Sequence, residues 1–245
     1  MSRTRFQGVR TVVRFNWPLY LVAGLVLAAA LALAVAPLPA SIRIVSSLVA
    51  AATAWFLIGS LGATHWVYDR SDLYRWKWLR ALAPPGSFRL LVCHTGFDEV
   101  SESLCRAFPE ASVEVLDHFD DKTMTEASIR RARALCPPAQ ETIASPHGQW
   151  PDLHADLILA PLAIHELRSI DERMAWFREA RRNLAPGGRI IVVEHLRNLA
   201  NFLAFGPGFV HFHGESAWRA SWAAADLQLD RTFSITPFVR AFVLK

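Results

Sequence analysis

The sequence is poor in cysteine, and outside the segments that flank its long apolar runs it has no cluster of basic and aromatic residues. Its 3 cysteines, Cys93, Cys105 and Cys136, are odd in number and show no C-x-x-C spacing. This argues against a disulfide framework and a cysteine zinc site, and it fits a reducing compartment. The net charge is +4, but without a basic patch we expect no nucleic-acid partner.

Charge is also missing from two long stretches near the N-terminus. Residues 17–36 and 44–63 contain no Asp, Glu, Lys or Arg over 20 positions each. A helix rises about 1.5 Å per residue, so each stretch can cross a hydrocarbon core of roughly 30 Å. Residues 1–63 are therefore predicted to hold an N-terminal segment and a transmembrane helical hairpin, with the lipid bilayer as partner. The alternative for the first stretch is a signal peptide cleaved after Ala36, although a second apolar stretch follows at once.

Basic residues are distributed unevenly around these two stretches. Four precede the first and four follow the second, namely Arg3, Arg5, Arg10, Arg14, Arg70, Arg75, Lys77 and Arg80. Only Arg43 lies between the stretches. The positive-inside rule therefore places both ends of the hairpin in the cytoplasm.

Residues 64–86 are dense in aromatic and basic side chains. This composition is typical of a segment at the membrane–water interface, so we interpret it as an interfacial linker. The alternative is that it forms one wall of a substrate entrance. The breakers from Ala83 to Gly86 mark the start of the domain that follows, residues 87–245.

The stretch from Ala155 to His195 has the pattern of a strand, a helix and a second strand. Residues 155–161 are a short apolar run bounded by breakers, and residues 189–194 are apolar and β-branched. Between them, apolar residues recur at helical spacing over residues 169–184, and a Pro-Gly-Gly turn ends the pattern. This order predicts a parallel sheet covered by helices.

The segment from Leu184 to Gly188 and the strand from Ile190 to Glu194 resemble the helix-ending Leu-x-Pro-Gly-Gly turn and the fifth strand of class I S-adenosylmethionine-dependent methyltransferases. Further strands are predicted at residues 88–93, 113–117, 141–144, 227–234 and 237–244. The resemblance implies an α/β fold of the class I methyltransferase (Rossmann-like) type. Its seven-stranded sheet would end in an antiparallel hairpin and would follow the two-helix transmembrane hairpin.

In that family, backbone after the first strand approaches the cofactor closely at glycine, and an acid after the second strand binds the ribose. Here Gly96 is the only glycine of the turn that begins at His94, and Asp117 ends the second strand. The resemblance implies that His94, Gly96 and Asp117 contact S-adenosylmethionine and that Phe119 stacks on its adenine. The alternatives are a capping role for Asp117, simple packing of Phe119, and a variant or lost cofactor site.

In an open α/β sheet, ligands bind beyond the carboxyl ends of the strands where the strand order reverses. His165, Glu166 and His195 follow two central strands and are the predicted catalytic residues. One of them would serve as general base if the methyl acceptor must lose a proton. The alternative for each is a polar residue capping a strand–helix turn. His211 and His213, two apart on an apolar loop, are a candidate pair for chelating a metal, but we predict no metal site.

Several segments together resemble a bacterial family of membrane-anchored, methyltransferase-like proteins. They are residues 64–71, 94–99, 192–197, 205–208 and 211–212. The resemblance implies a location in the bacterial inner (cytoplasmic) membrane, with the catalytic domain facing the cytoplasm. It implies a methyltransferase that acts on a lipid, quinone-like or other membrane-associated small molecule. The alternative is a catalytically inactive methyltransferase-fold module for binding or assembly, tethered to the membrane.

The apolar segment from Leu199 to Phe212 follows the fifth strand and contains few breakers besides its two glycines and one proline. We expect it to form a loop that covers the cleft and offers an apolar wall to the acceptor.

The orientation of the hairpin gives a first prediction. Reporter domains fused at Ser2 and at Lys245 should both be active in the cytoplasm, because the basic residues flank the outer ends of the two apolar stretches. An external signal from the C-terminal fusion, or a mature protein that begins at Pro37, would contradict it.

Overall fold

The computed structural model describes residues 4–139, 141–146 and 149–245, so Arg3 lies outside the described residues. The helices are α1 Gln7–Phe15, α2 Trp17–Val35, α3 Ala40–Thr64, α4 Lys77–Arg80, α5 Ser101–Ala107, α6 Ala127–Leu135, α7 Ile170–Arg182, α8 Leu199–Phe205 and α9 Glu215–Ala223. The strands are β1 Phe88–His94, β2 Ala111–Asp117, β3 Ile143–Ala144, β4 Ala155–Pro161, β5 Leu184–His195, β6 Leu229–Thr236 and β7 Val239–Leu244.

The chain divides into two compact units. The first unit contains the residues up to Arg70 together with Leu199–Phe209, and the second contains Ser71–Asn198 and Val210–Lys245. The chain therefore passes from one unit to the other three times, once within the predicted linker and twice around the segment after β5.

In the first unit, α2 and α3 are apolar along their length, and most of their side chains are exposed. By length and composition both are able to cross a membrane, as the sequence predicts. Their bounds differ from the predicted 17–36 and 44–63, because α3 begins earlier, at Ala40, and a π-helix, His65–Arg70, continues it. Arg43 thus lies in the first turn of α3, where its Nε donates a hydrogen bond to the carbonyl of Ala34 at 3.2 Å.

The amphipathic helix α1 was not predicted, and it is fixed by a single carboxylate. Asp69 of the π-helix accepts hydrogen bonds from the backbone N–H of Gly8 at 2.6 Å and of Val9 at 3.3 Å, which satisfies two of the free donors at the start of α1. A side chain at position 8 would collide with Tyr68, whose Cβ would stand 2.2 Å from an added Cβ. Gly8 is therefore required for this close approach.

The segment from Leu199 to Phe212 is helical rather than the predicted loop. Helix α8 and the 3₁₀-helix Gly206–His211 account for most of it, and α8 packs on α3. The indole of Trp55 donates to the carbonyl of Leu203 at 2.9 Å, and Gly59 leaves room for the backbone of Ala204. Helix α8 thus contacts an apolar helix of the first unit, and the expectation that the segment covers the cleft stays a prediction.

The second unit is built on a seven-stranded sheet in the order β3-β2-β1-β4-β5-β7-β6. Strand β7 runs antiparallel to both β5 and β6, so the terminal hairpin is the predicted one. Strands β1 and β4 and the second half of β5, residues 190–195, are almost wholly buried, as expected for strands covered on both faces. The predicted seven-stranded α/β sheet is confirmed, with strand bounds that shift by a few residues.

The Pro-Gly-Gly sequence does not end the helix before it. Helix α7 begins with a capping box between Ser169 and Glu172 and ends at Asn183, before the prolyl residue. The residues after Leu184 form a bulge in β5, because Ala155 pairs with Leu184 while Leu157 pairs with Arg189. The positive φ of Gly187, 79°, belongs to this bulge.

Part of the predicted interfacial linker packs into the second unit. Leu73, Trp76 and Leu79 are buried there. The indole of Trp76 donates to Ser103 at 3.0 Å, and the hydroxyl of Tyr74 donates to Glu99 at 2.6 Å. These aromatic side chains therefore join the linker to α5 and the loop before it.

Candidate active site

The parallel strands bring their carboxyl ends to one edge of the sheet. His94 at the end of β1 pairs in register with Asp117 at the end of β2. The end of β4 pairs with β5 two residues before His195. Strands β2 and β3 lie on one side of β1, and β4 and β5 lie on the other, so the strand order reverses between β1 and β4. The predicted site residues therefore flank the switch point at which α/β folds bind ligands.

His94 is buried, and neither of its ring nitrogens makes a hydrogen bond within the described ranges. Its Nδ1 lies 3.6 Å from a carboxylate oxygen of Asp117, too far for a good bond. Burial lowers the pKa of His94, and the charges of Asp117 and Asp98 only partly offset this. A buried imidazole with unused polar atoms is suited to contact a ligand.

Asp117 holds the turn after β1 together. One oxygen accepts from the backbone N–H of Gly96 at 3.2 Å and of Phe119 at 3.0 Å, and the other accepts from Arg133 Nη1 at 2.5 Å. Burial alone would raise the pKa of Asp117, but the hydrogen bond from Arg133 and the neighbouring His94 hold it below its usual value.

Helix α6 occupies the space next to Gly96. A Cβ at this glycine, whose φ is +99°, would stand 2.8 Å from Ile129 and 3.5 Å from Arg133. The guanidinium of Arg133 also lies over the ring of Phe119, 4.2 Å from its centroid. The four predicted cofactor residues therefore form one cluster, and a side chain that sequence reasoning missed closes it.

The chain returns sharply after β4 to place the next two predicted residues. Leu162 adopts a left-handed conformation with φ 53°, uncommon for a bulky residue, and a 3₁₀-helix, Ile164–Glu166, follows. Glu194 of β5 fixes this turn. Its carboxylate accepts from the backbone N–H of His165 at 3.1 Å and lies 2.7 Å from His165 Nδ1.

The wholly buried Glu194 gives His165 an unusual environment. Burial would lower the pKa of His165, but Glu194 and Glu166 raise it to about 10. Burial likewise opposes ionisation of Glu166, yet its contacts with His165 and His211 hold its pKa well below its usual value. At neutral pH the pair is charged, so His165 is suited to donate a proton in a hydrogen bond rather than to accept one.

His195 lies apart from this pair. It is buried, its Nδ1 is 3.0 Å from the carbonyl oxygen of Phe238, and its ring stacks on Phe212 with 4.8 Å between centroids. The same Phe212 ring contacts His165 edge-on at 6.1 Å. Two of the three predicted catalytic residues, His165 and His195, thus pack against one phenylalanine.

Two further residues join His165 and Glu166, and sequence reasoning assigned neither to this place. His211 Nε2 lies 3.4 Å from Glu166 Oε1, and its Nδ1 lies 3.0 Å from Glu126 Oε1. The candidate chelating pair of His211 and His213 does not form around a shared point. His213 Nε2 instead lies 3.2 Å from Arg173 Nη1, and burial together with that charge lowers the pKa of His213 to about 4.

A cavity of about 290 Å³ opens near the same edge. It lies between the loop after β2 and the first turns of α7, against His118 and Trp176. None of the seven predicted site residues lines it.

The fold is shared with solved methyltransferases. A SAM-dependent methyltransferase from Aquifex aeolicus superimposes with a TM-score of 0.51 and 14% identity over 71% of this chain and 89% of that one. Mitomycin 7-O-methyltransferase superimposes with a TM-score of 0.53 and 16% identity over 99% of this chain and 73% of that one. A TehB-like SAM-dependent methyltransferase from Corynebacterium glutamicum gives 0.50 and 16% over 80% and 95%.

No protein-family model matches the sequence, and no curated protein is similar to it in sequence. The structural likeness therefore establishes the class I methyltransferase fold of this chain.

The buried His118, next to Asp117, gives a prediction on stability. Its Nδ1 contacts the carbonyl of Ser145 and its ring stacks on Trp150, and burial lowers its pKa to about 4. Below pH 6.5 the unfolded chain takes up a proton that the folded chain does not bind until about pH 4. Stability should fall over this window, by about 1.4 kcal/mol per pH unit from this group.

Urea unfolding of the full chain in detergent, followed by tryptophan fluorescence, measures this slope. His118→Phe should reduce it between pH 6.5 and 4, leaving the part due to His94 and His213. His154→Gln, at an exposed histidine, should leave it unchanged. Equal slopes in His118→Phe and the unaltered protein would refute the assignment.

Proposed function

We propose that this protein is a membrane-anchored S-adenosylmethionine-dependent methyltransferase that acts on a lipid, quinone-like or other membrane-associated small molecule. One observation carries the proposal: in a class I methyltransferase fold, polar side chains gather on both sides of the switch point. His94 and Asp117 stand on the cofactor side, and His165 and Glu166 stand on the side of the acceptor. The solved structures with this fold are described as methyltransferases.

The residues on the cofactor side have the chemical groups that S-adenosylmethionine binding requires. The buried ring of His94 offers polar atoms that lack hydrogen bonds in the described parts of the chain, and Asp117 offers a carboxylate at the position that binds ribose hydroxyls in related folds. When bound, the cofactor supplies an electrophilic methyl group on a sulfonium. The chain has to bind, orient and exclude water around it, since an in-line displacement depends mainly on position.

One contact must change before this cofactor binds. Arg133 engages Asp117 and, with Ile129, fills the space beside Gly96. We propose that α6 moves away when the cofactor enters. The same contact favours the second candidate function, a catalytically inactive module for binding or assembly, in which Arg133 closes the site permanently.

On the acceptor side, the charge of His165 determines its role. Because the pKa of His165 is raised to about 10, its imidazole would hold an acceptor oxygen through a hydrogen bond rather than remove its proton. Glu166, His195 and Phe212 would complete the wall against which the acceptor lies.

Membrane association rests on the first unit. Large apolar side chains of α2 and α3 are exposed, and so are Leu199, Phe202 and Leu203 of α8, which packs on α3. An apolar surface of this kind marks a membrane or a protein interface. We propose that the helices span the bacterial inner membrane with the second unit in the cytoplasm.

Cofactor affinity gives a prediction that separates the two functions. Calorimetry of the full chain in detergent should detect S-adenosylmethionine binding. Asp117→Asn should weaken it roughly 10- to 150-fold, because a hydrogen bond to a charged group is worth about 1.5–3 kcal/mol. Arg133→Gln should strengthen it about tenfold or more by the same arithmetic, since it removes the competing partner of Asp117.

Arg130→Gln, at an exposed arginine on the same helix, is the matched control and should leave the affinity unchanged. No binding at millimolar cofactor by either the unaltered chain or Arg133→Gln would favour the inactive module.

The location of the acceptor gives a second prediction. Membranes that contain the protein, incubated with methyl-labelled S-adenosylmethionine, should accumulate label in the lipid extract. His165→Ala should lower this rate about 100-fold or more, the usual loss for a positioned acid or base, while cofactor affinity stays within about twofold. Label found only in water-soluble products, or equally in membranes without the protein, would refute the membrane acceptor.

A further inference from the structure

His165, Glu166 and His211 converge on one point within the second unit. His165 Nε2 and His211 Nε2 each lie 3.4 Å from Glu166 Oε1, and one ligand atom from each of the three residues lies within 4.8 Å of the others. A bond from nitrogen or oxygen to a zinc-like ion is about 2.0–2.1 Å, so two ligands of a tetrahedral ion stand roughly 3.4 Å apart. The spacing therefore matches that of two atoms bound to one metal.

The other nitrogen of each histidine faces a carboxylate. Nδ1 of His165 lies 2.7 Å from Glu194, and Nδ1 of His211 lies 3.0 Å from Glu126. Metal-binding histidines are oriented in this way, because a carboxylate that accepts the Nδ1 proton leaves the lone pair of Nε2 for the metal. Both histidines thus present the atom that faces Glu166.

The backbone that carries these ligands is held in place. The guanidinium of Arg168 donates to the carbonyls of both His165 and His211. Arg197 donates to the carbonyls of Val210 at 2.5 Å and Phe212 at 2.8 Å, on either side of His211. Side chains from distant parts of the chain can form a binding site before an ion arrives only if their backbone is held in place in this way.

The charges also suit a cation. Three carboxylates, Glu126, Glu166 and Glu194, surround two imidazoles, and Glu194 is wholly buried. A divalent ion would supply the positive charge that protons on the two imidazoles otherwise supply between these carboxylates. Two nitrogen ligands and one oxygen ligand, with positions left open, are typical of zinc and non-haem iron(II) and not of magnesium or calcium, which prefer oxygen.

We propose that His165, Glu166 and His211 bind one divalent first-row transition-metal ion of the zinc or iron(II) class. Glu194 and Glu126 act as positioning residues behind the two histidines. The side chains of the three ligands are 11–25% exposed, so the open coordination positions face outward and accept water or an oxygen-containing ligand. The proposal does not depend on methyl transfer; with the ion bound, the ion rather than the Nε2 proton of His165 would hold an acceptor oxygen.

Cobalt(II) is the probe, because it takes zinc-type sites and has visible absorption bands when bound to protein. The full chain, purified in detergent and stripped with a chelator, should bind one equivalent of cobalt(II), which zinc displaces and excess magnesium does not. His211→Gln and Glu166→Gln should each weaken binding about tenfold or more, as the loss even of a residue behind a ligand typically costs 10- to 100-fold.

Glu126→Gln separates a metal site from a network of ion pairs. Its half-exposed carboxylate touches His211 but is not a ligand, so the variant should fold and still bind cobalt(II) about 10-fold more weakly. His154→Gln, at an exposed histidine outside the cluster, is the control and should bind like the unaltered chain, with tryptophan fluorescence to verify its fold.

The proposal fails if the unaltered chain binds no stoichiometric cobalt(II) or zinc at millimolar concentration, or if His211→Gln binds as tightly as His154→Gln. All binding is measured without S-adenosylmethionine. A failure here therefore leaves the methyltransferase proposal intact, and absence of methyl transfer leaves the metal site intact.

Discussion

The buried carboxylate of Glu194 is the constraint on which the arrangement around the switch point depends. A carboxylate with no exposure inside a β-strand must be paired, because an isolated buried charge is strongly unfavourable. Its partners are the backbone N–H and the ring of His165, so the chain after β4 has to turn back toward β5. The left-handed Leu162 makes that turn, and Glu166 and His211 gather around the imidazole that results.

A second buried carboxylate, that of Asp117, organises the other half of this edge of the sheet, and there its contacts close the site. Asp117 has its hydrogen bonds satisfied by the turn after β1 and by Arg133, so that part of the structure is closed. The side around His165 has carboxylates and imidazoles that converge on a common point. The two halves of this edge of the sheet therefore differ. The half around Asp117 has to open before a ligand binds, whereas the half around His165 already holds its polar groups in place.

The sheet could be predicted because each strand is a contiguous run of mostly apolar residues bounded by breakers, a pattern that is visible in the local sequence. Helix α8 could not, since it is apolar on all sides and gives no helical periodicity; it is stable because it packs on α3. The individual residues His165, Glu166 and Asp117 were predicted from their positions after strands. Their partners Glu126, Arg133 and His211 were not, because contacts between segments distant in sequence leave no local signal. The apolar strand that ends in Glu194 did carry one, since a carboxylate there requires a buried partner.

The excursion of residues 199–209 into the first unit affects how the second unit can be handled on its own. A fragment that starts at Ser71 would keep α8 but lose α3, so it would uncover the buried Ala204 beside the already exposed Leu199, Phe202 and Leu203. Such a fragment would self-associate whatever the quality of its own core. Arg197 contacts the carbonyl of Val210, so the two ends of the excursion are close enough for a short glycine linker to replace it. To prepare the second unit on its own, residues 199–209 therefore have to be deleted in addition to the residues before Ser71.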